Sequence, residues 1–358
     1  MFAKNCGILL TLLLALLAGG GVSAQERVPS VVTGRVIAVG GGVVRGVRVF
    51  ARAGESADSA AVDSAGGFAL ALQMVPADSV ELWFRAADSA VAAFHPARVR
   101  LGAEDAAKEQ EIVLVPLRWT IQAGQYAGRA VEVSLARAFS PPCAGCTGFY
   151  RALRAKSDSG RTGLQGWPAA RFPLRVAFDR EWNGERISAR DSLAFWREAE
   201  ELEAALGVDV FRPANYADAV PREEGGPDDV ILVWFDPDMR GLGGIGTAVS
   251  NGEDIGYGDL RLNRSALHEE VTAPGLVSHE LLHTLGFGHT CAWRSVVADV
   301  RRCPFMRAPA ATEEDVAYAE LAAAVRALLH GHPRRWALEA ALAAMQSPVA
   351  GTLAVQAW

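Results

Sequence analysis

The stretch His279-Glu280-Leu281-Leu282-His283-Thr284-Leu285-Gly286-Phe287-Gly288-His289 decides how the C-terminal half of this 358-residue chain is read. His279 and His283 are four residues apart, which places both on one helix face, about 6 Å apart along the axis. At that spacing two imidazoles reach one zinc ion. Glu280 is offset around the helix from the pair, so it reaches a water at the metal without ligating the metal. Gly286 supplies a left-handed position where the helix ends, and the returning chain brings His289 to a third ligand position. Three protein ligands leave the fourth position open, as in a catalytic rather than a structural zinc site. The chain has seven histidines, and chance fills these five fixed positions in roughly one such chain in 10⁵. His268-Glu269-Glu270 has no second histidine four places on and reads as a solvated approach to a helix.

Outward from this motif, the pattern from residue 171 is mixed. The zinc helix spans 274–285, with Thr272 as its N-cap and Gly286 as its stop. Upstream, Phe172–Phe178 reads as a strand and Val230–Phe235 as a buried strand. Asp191–Leu206 reads as an amphipathic helix with Leu193, Trp196, Ala199, Leu202 and Leu206 on one side and Gly207 as its stop. Gly241–Asn263 is glycine-rich with short strands, Glu313–Leu329 is helical, and Trp336–Met345 reads as a last helix.

The 279–289 segment resembles the HExxHxxGxxH signature of the metzincin zinc peptidases, in particular bacterial matrixin-like members. The likeness extends over roughly 171–330. It implies an α+β zincin domain, a twisted mixed sheet plus the zinc helix. It also implies an endopeptidase in which His279, His283 and His289 bind Zn²⁺ and Glu280 acts as general base on a zinc-activated water. Metzincins carry a methionine turn beneath the zinc, and Met306 is the candidate. The tyrosine that some members place two residues later is Ala308 here, and Arg307 reads as a surface residue. The interval from His289 to Met306 is long, so another residue underlies the metal if no bridge ties it off. Peptide or protein substrate would lie along an edge strand from Gly241–Asn263, with 304–310 walling the pocket. Glu313, Glu314 and Glu320 are alternative third ligands, but His289 has the better spacing. A different class of function is an exported zinc-containing binding or adhesion protein with little proteolysis, against which Glu280 argues.

Residues 25–117 read as short strands separated by Gly, Asp and Ser turns: Val31–Val39, Val47–Ala51, Gly67–Leu72, Val80–Phe84 and Glu111–Val115. This is the pattern of an all-β sandwich, and it resembles the carboxypeptidase regulatory-like, transthyretin-like module. Residues 118–170 form a connecting segment with a Cys-Ala-Gly-Cys turn, and 171–358 form the peptidase domain. Residues 1–24, with Lys4, the apolar run Ile8–Ala18 and Val22-Ser23-Ala24, have the layout of a secretory signal and imply a secreted or periplasmic protein. No later stretch is long enough for a membrane helix. Export makes Cys143, Cys146, Cys291 and Cys303 disulfide candidates, and local pairing favours 143–146 and 291–303. The CxxC loop as a metal site, and a thiol capping the zinc in a latent form, are the alternatives. Asp236, Asp238, Asp254 and Asp259 match no calcium loop and read as turn residues. The net charge of −6 and the lack of a basic run exclude an evident nucleic-acid binder. Nothing in the sequence specifies an oligomeric state.

Overall fold

The computed structural model describes residues 27–41, 44–75, 78–87, 93–134, 152–154, 162–179, 181–182, 185–216, 229–236, 239, 242–251, 254–269, 275–290, 294–298 and 307–331. Residues 1–24, Cys143, Cys146, Cys291, Cys303, Thr272, Asp238 and the 336–345 segment lie outside them. The architecture is mixed α/β, with separate sheets and five helices among the described residues.

The N-terminal part comprises strands β1 (Val28–Ala38), β2 (Val47–Ala53), β3 (Ser56–Ala61), β4 (Gly67–Met74), β5 (Val80–Ala86) and β6 (Ala97–Leu101). The short helix α1 (Ala103–Ala106) and strand β7 (Gln110–Leu114) follow. Alternation of apolar and polar residues drives these strands, because every second side chain meets the same side of the sheet. One sheet has the order β4-β1-β7, the other β3-β2-β5-β6. Their inward residues merge in one apolar cluster, with Leu70 and Ile112 from the first sheet and Leu82 and Leu101 from the second. Phe68 and Phe84 meet edge to face across it at 5.9 Å. The expected strands are all present, with ends shifted by up to three residues. β3 and β6 were not expected, because Ser-Ala-Asp-Ser-Ala-Ala and Ala-Arg-Val-Arg-Leu carry little apolar signal.

Strands β8 (Arg118–Thr120) and β9 (Ala130–Glu132) pair as a hairpin, as do β10 (Ala152–Arg154) and β11 (Thr162–Leu164). The main sheet follows. Its strands are β12 (Leu174–Phe178), β15 (Phe211–Pro213), β16 (Val230–Phe235), β17 (Gly244–Asn251) and β18 (Asp254–Leu262), with the two-residue strands β13 (Glu181–Trp182) and β14 (Glu185–Arg186) forming a separate small ladder. The order is β15-β12-β16-β18-β17, parallel except for β17, which returns antiparallel on β18 and forms one edge.

The helices of this part are α2 (Ala189–Leu206), α3 (Arg264–Leu267), α4 (Leu276–Thr284) and α5 (Glu313–Gly331). They share one core with the sheet. α2 starts at a reciprocal cap between Ser188 and Asp191 and ends at left-handed Gly207. Of the expected face, Ala199 and Leu202 are buried and Trp196 and Leu206 pack half-buried on the core. Leu193 departs from it at 72% exposed, while Phe195 and Ala205 join the buried side. A face holding Phe195 cannot also hold Leu193, since two residues turn the helix by about 200°. None of the described helices is long and apolar enough to cross a membrane.

Residues 118–134 dock on α5. Trp119, Ile121 and Val133 are buried in the core of the main sheet. Trp119 Nε1–H donates to Glu320 at 2.7 Å, and the N–H groups of Gln122 and Ala123 donate to the same carboxylate. Arg129 pairs with Glu313 at 2.8 Å.

Candidate metal centre

Helix α4 carries His279, Glu280 and His283 on a largely buried segment. It begins two residues into the expected span, at Leu276, and its N-cap is left-handed Gly275, not Thr272, with no side chain to cap it. Glu198 of α2 supplies the cap instead, accepting from the N–H groups of Val277 at 2.9 Å and Ser278 at 3.4 Å. At the other end Gly286 adopts φ +99°, and Phe287 N–H reaches back to the Leu282 carbonyl while Gly286 N–H reaches His283. This is a Schellman closure. It also turns the Phe287 carbonyl toward His283, whose Nδ1–H donates to it at 2.8 Å. Thus the residues that end the helix also orient one of its histidines.

The three imidazoles converge. Nε2 of His283 lies 3.1 Å from Nε2 of His279 and 3.1 Å from Nε2 of His289, and the third separation is 3.2 Å. Nδ1 of His279 and of His283 each face a carbonyl and so hold the proton, which leaves lone pairs at Nε2. Lone pairs aimed at one another repel unless a cation stands between them. A tetrahedral ion with bonds of about 2.1 Å needs nitrogen separations of about 3.4 Å. The donor set therefore fits a metal ion. Among the described residues this is the His/Cys/Asp/Glu group close enough to hold one.

His279 is held from a turn that the sequence reading did not single out. Its Nδ1–H donates to the Val296 carbonyl at 2.7 Å. The Val296 N–H in turn donates to Asp315 at 3.0 Å, and Ser295 Oγ donates to the same carboxylate at 2.6 Å. Asp315 also accepts from Thr312 N–H and its hydroxyl, 3.0 Å each, closing a cap at the start of α5. Burial pushes the Asp315 carboxyl up, against the pull of these donors. Val296 and Val297 are buried, and Thr290 N–H donates to Val297 O at 3.2 Å. The turn that braces the histidines is thus 294–298. Met306, the methionine-turn candidate, lies outside the described residues.

Glu280 is 5% exposed and lies against edge strand β17. Gly246 N–H donates to its carboxylate. A methyl on Gly244 would lie 2.6 Å from Glu280 Cγ, and one on Gly246 would collide with the Glu280 carbonyl oxygen. Only glycines let strand and helix approach this closely. Burial pushes the Glu280 carboxyl up to about 7, with Gly246 N–H and Arg307 acting in the opposite direction.

Arg307 is not the surface residue expected. It is partly buried, and its charge acts on Glu280, Glu198 and His279. Its neighbour Ala308 donates N–H to Ser295 O at 3.1 Å, and Pro309 O packs on Gly275. Only the folding back of 307–309 over the start of α4 brings it here, so no local pattern marked it.

Other expectations resolve away from the site. His268 is not simply solvated: its Nε2 pairs with buried Asp191 at 2.8 Å. Asp254 pairs with Arg326 and Asp259 with Arg261 at 3.3 Å. Glu313 and Glu320, alternatives for the third ligand, are engaged by the 118–134 hairpin. No protein-family model, curated protein or solved structure matches this chain.

Proposed function

We propose that this protein is an exported, zinc-dependent endopeptidase of metzincin type, its N-terminal sheets forming an accessory sandwich. One observation carries the reading: three imidazole Nε2 atoms converge within 3.2 Å beside a buried glutamate that is not one of them. A structural site has no use for such a base. Bound there, zinc supplies Lewis-acid polarisation of a carbonyl and acidifies a water.

The remaining work belongs to the chain. Glu280, with its proton affinity raised by burial, takes a proton from the attacking water and returns it to the leaving amine. Gly246 N–H keeps the carboxylate in place. Strand β17 ends the sheet, so one row of its backbone groups is not used by the ladder. An extended peptide paired to that row passes directly over Glu280, which β17 touches.

The test is incubation with a diverse peptide library and identification of cut sites by mass spectrometry, alongside a chelated sample and Glu280→Ala. Cuts that vanish in both controls support the proposal. A folded, zinc-loaded chain that makes no cuts would point to a binding protein instead. Cuts retained by Glu280→Ala would remove the assigned base.

A further inference from the structure

The outward face of β3-β2-β5-β6 collects charge that is scattered in the sequence. Cross-strand register arranges it in three rows. Arg48 stands opposite Arg85. Phe50 stands opposite Trp83, which stands opposite Arg98. Arg52 stands opposite Glu81, which stands opposite Arg100. Arg52, Arg85, Arg98 and Arg100 are exposed and Arg48 partly so, while the alternate residues are buried between the sheets. Five guanidinium groups thus face one carboxylate, on a chain whose net charge is −6.

That carboxylate, Glu81, pairs with Arg98 at 2.8 Å. Arg98 also lies over the Trp83 ring at 5.4 Å. Among the described residues Arg48 and Arg100 bond to hydroxyls, of Ser59 at 3.2 Å and Ser79 at 3.1 Å, and Arg52 to the Gly54 carbonyl at 3.1 Å. Among the described residues four of the five have no carboxylate partner. Like charges directly opposite destabilise a sheet, so the Arg48–Arg85 pair costs the fold something unless an external anion offsets it.

The shape of the array selects the anion. Three adjacent strands and two-residue steps spread the charges over a flat field of about 10 by 14 Å. A linear polyanion is followed by a stripe or a groove, and this face is neither. At its centre is an aromatic pair, with Phe50 37% exposed. Arginines around an exposed phenylalanine and a half-buried tryptophan suit a surface that is anionic outside and apolar beneath. We infer that this face docks the protein on an anionic phospholipid surface, with the arginines against headgroup phosphates and the Phe50–Trp83 pair at headgroup depth. The docking does not depend on the histidine site.

Co-sedimentation of the full chain with vesicles tests it, using phosphatidylcholine alone and phosphatidylcholine mixed with phosphatidylglycerol. The N-terminal segment with Lys4 and the apolar run Ile8–Ala18 is common to wild type and every variant, so differences between them on the same vesicles isolate the face. The chain should prefer the mixed vesicles, and added salt should weaken that preference. Arg48→Gln with Arg85→Gln should lower partitioning about tenfold or more, and charge reversal with Glu at both positions should lower it further. The Gln pair relieves the Arg48–Arg85 repulsion, so its thermal melt should be unchanged or higher, which keeps the comparison valid. Equal partitioning of wild type and the Gln pair would overturn the inference. So would capture of soluble heparin, lost in the variants, with no vesicle binding at all.

Discussion

His279 shows how far a candidate metal ligand depends on residues outside the histidine cluster. Its ring is oriented by the Val296 carbonyl, and the Val296 peptide is held by Asp315, with Ser295 and Thr312 on the same carboxylate. Removing Asp315 leaves buried donors on Val296, Ser295 and Thr312 without an acceptor. Asp315→Ala should therefore destabilise the fold by on the order of 2–4 kcal/mol and weaken metal affinity by about 10- to 100-fold. Asp315→Asn keeps the shape and one acceptor oxygen, so it should recover part of both. Denaturant melts and competitive zinc titration would check this, and unchanged zinc affinity in the Ala variant would show that the Val296 turn orients nothing. The ligands themselves were legible as a spacing, because a helix converts four residues into one face. Arg307, Val296 and Asp315 were not, since each arrives from a different part of the chain.

At the scale of elements, α4 is short and is braced by its neighbours. Gly275 offers no cap, and Glu198 provides one from α2. Glu198→Ala should cost about 1–2 kcal/mol, read as a shift in the thermal melt. Burial holds the Glu198 carboxyl above its usual value of 4.5. The folded chain therefore binds this proton more tightly than the unfolded chain, and its contribution to stability falls as pH rises from 4.5 through the raised value. Glu198→Gln should remove that part of the slope in melts taken between pH 4 and neutrality. A slope identical to wild type would exclude Glu198 as its source. The sheet elements follow the same logic: Gly244 and Gly246 fall in the glycine-rich stretch expected to form short strands, and the structure shows that they admit Glu280.

Across the whole molecule, the C-terminal part does not begin at residue 171, where its motifs begin. Trp119, Ile121 and Val133 fill its core, and Trp167 Nε1–H donates to the Thr284 carbonyl at the end of α4. A chain starting at residue 171 loses all four. It should expose apolar surface and fail to melt cooperatively, because large-to-small losses in a core cost about 3–5 kcal/mol each for aromatic residues. A chain starting at residue 110 should retain a cooperative transition. Calorimetry of the two would check this, and a cooperative transition in the shorter chain would show that the hairpin is dispensable.

Local spacing alone made the histidine cluster, its glycine turn and the more apolar strands (β1, β2, β4, β5, β7, β12 and β16) readable, because helix and strand periods are properties of consecutive residues. The capping residue Glu198, the bracing turn 294–298, the placement of Arg307 and the arginine face were decided by tertiary structure. Each is a meeting of segments far apart in the chain: Glu198 with Val277, Asp315 with Val296, Arg48 with Arg85. The period of a segment marks which of its faces is buried, but not which distant segment that face will meet.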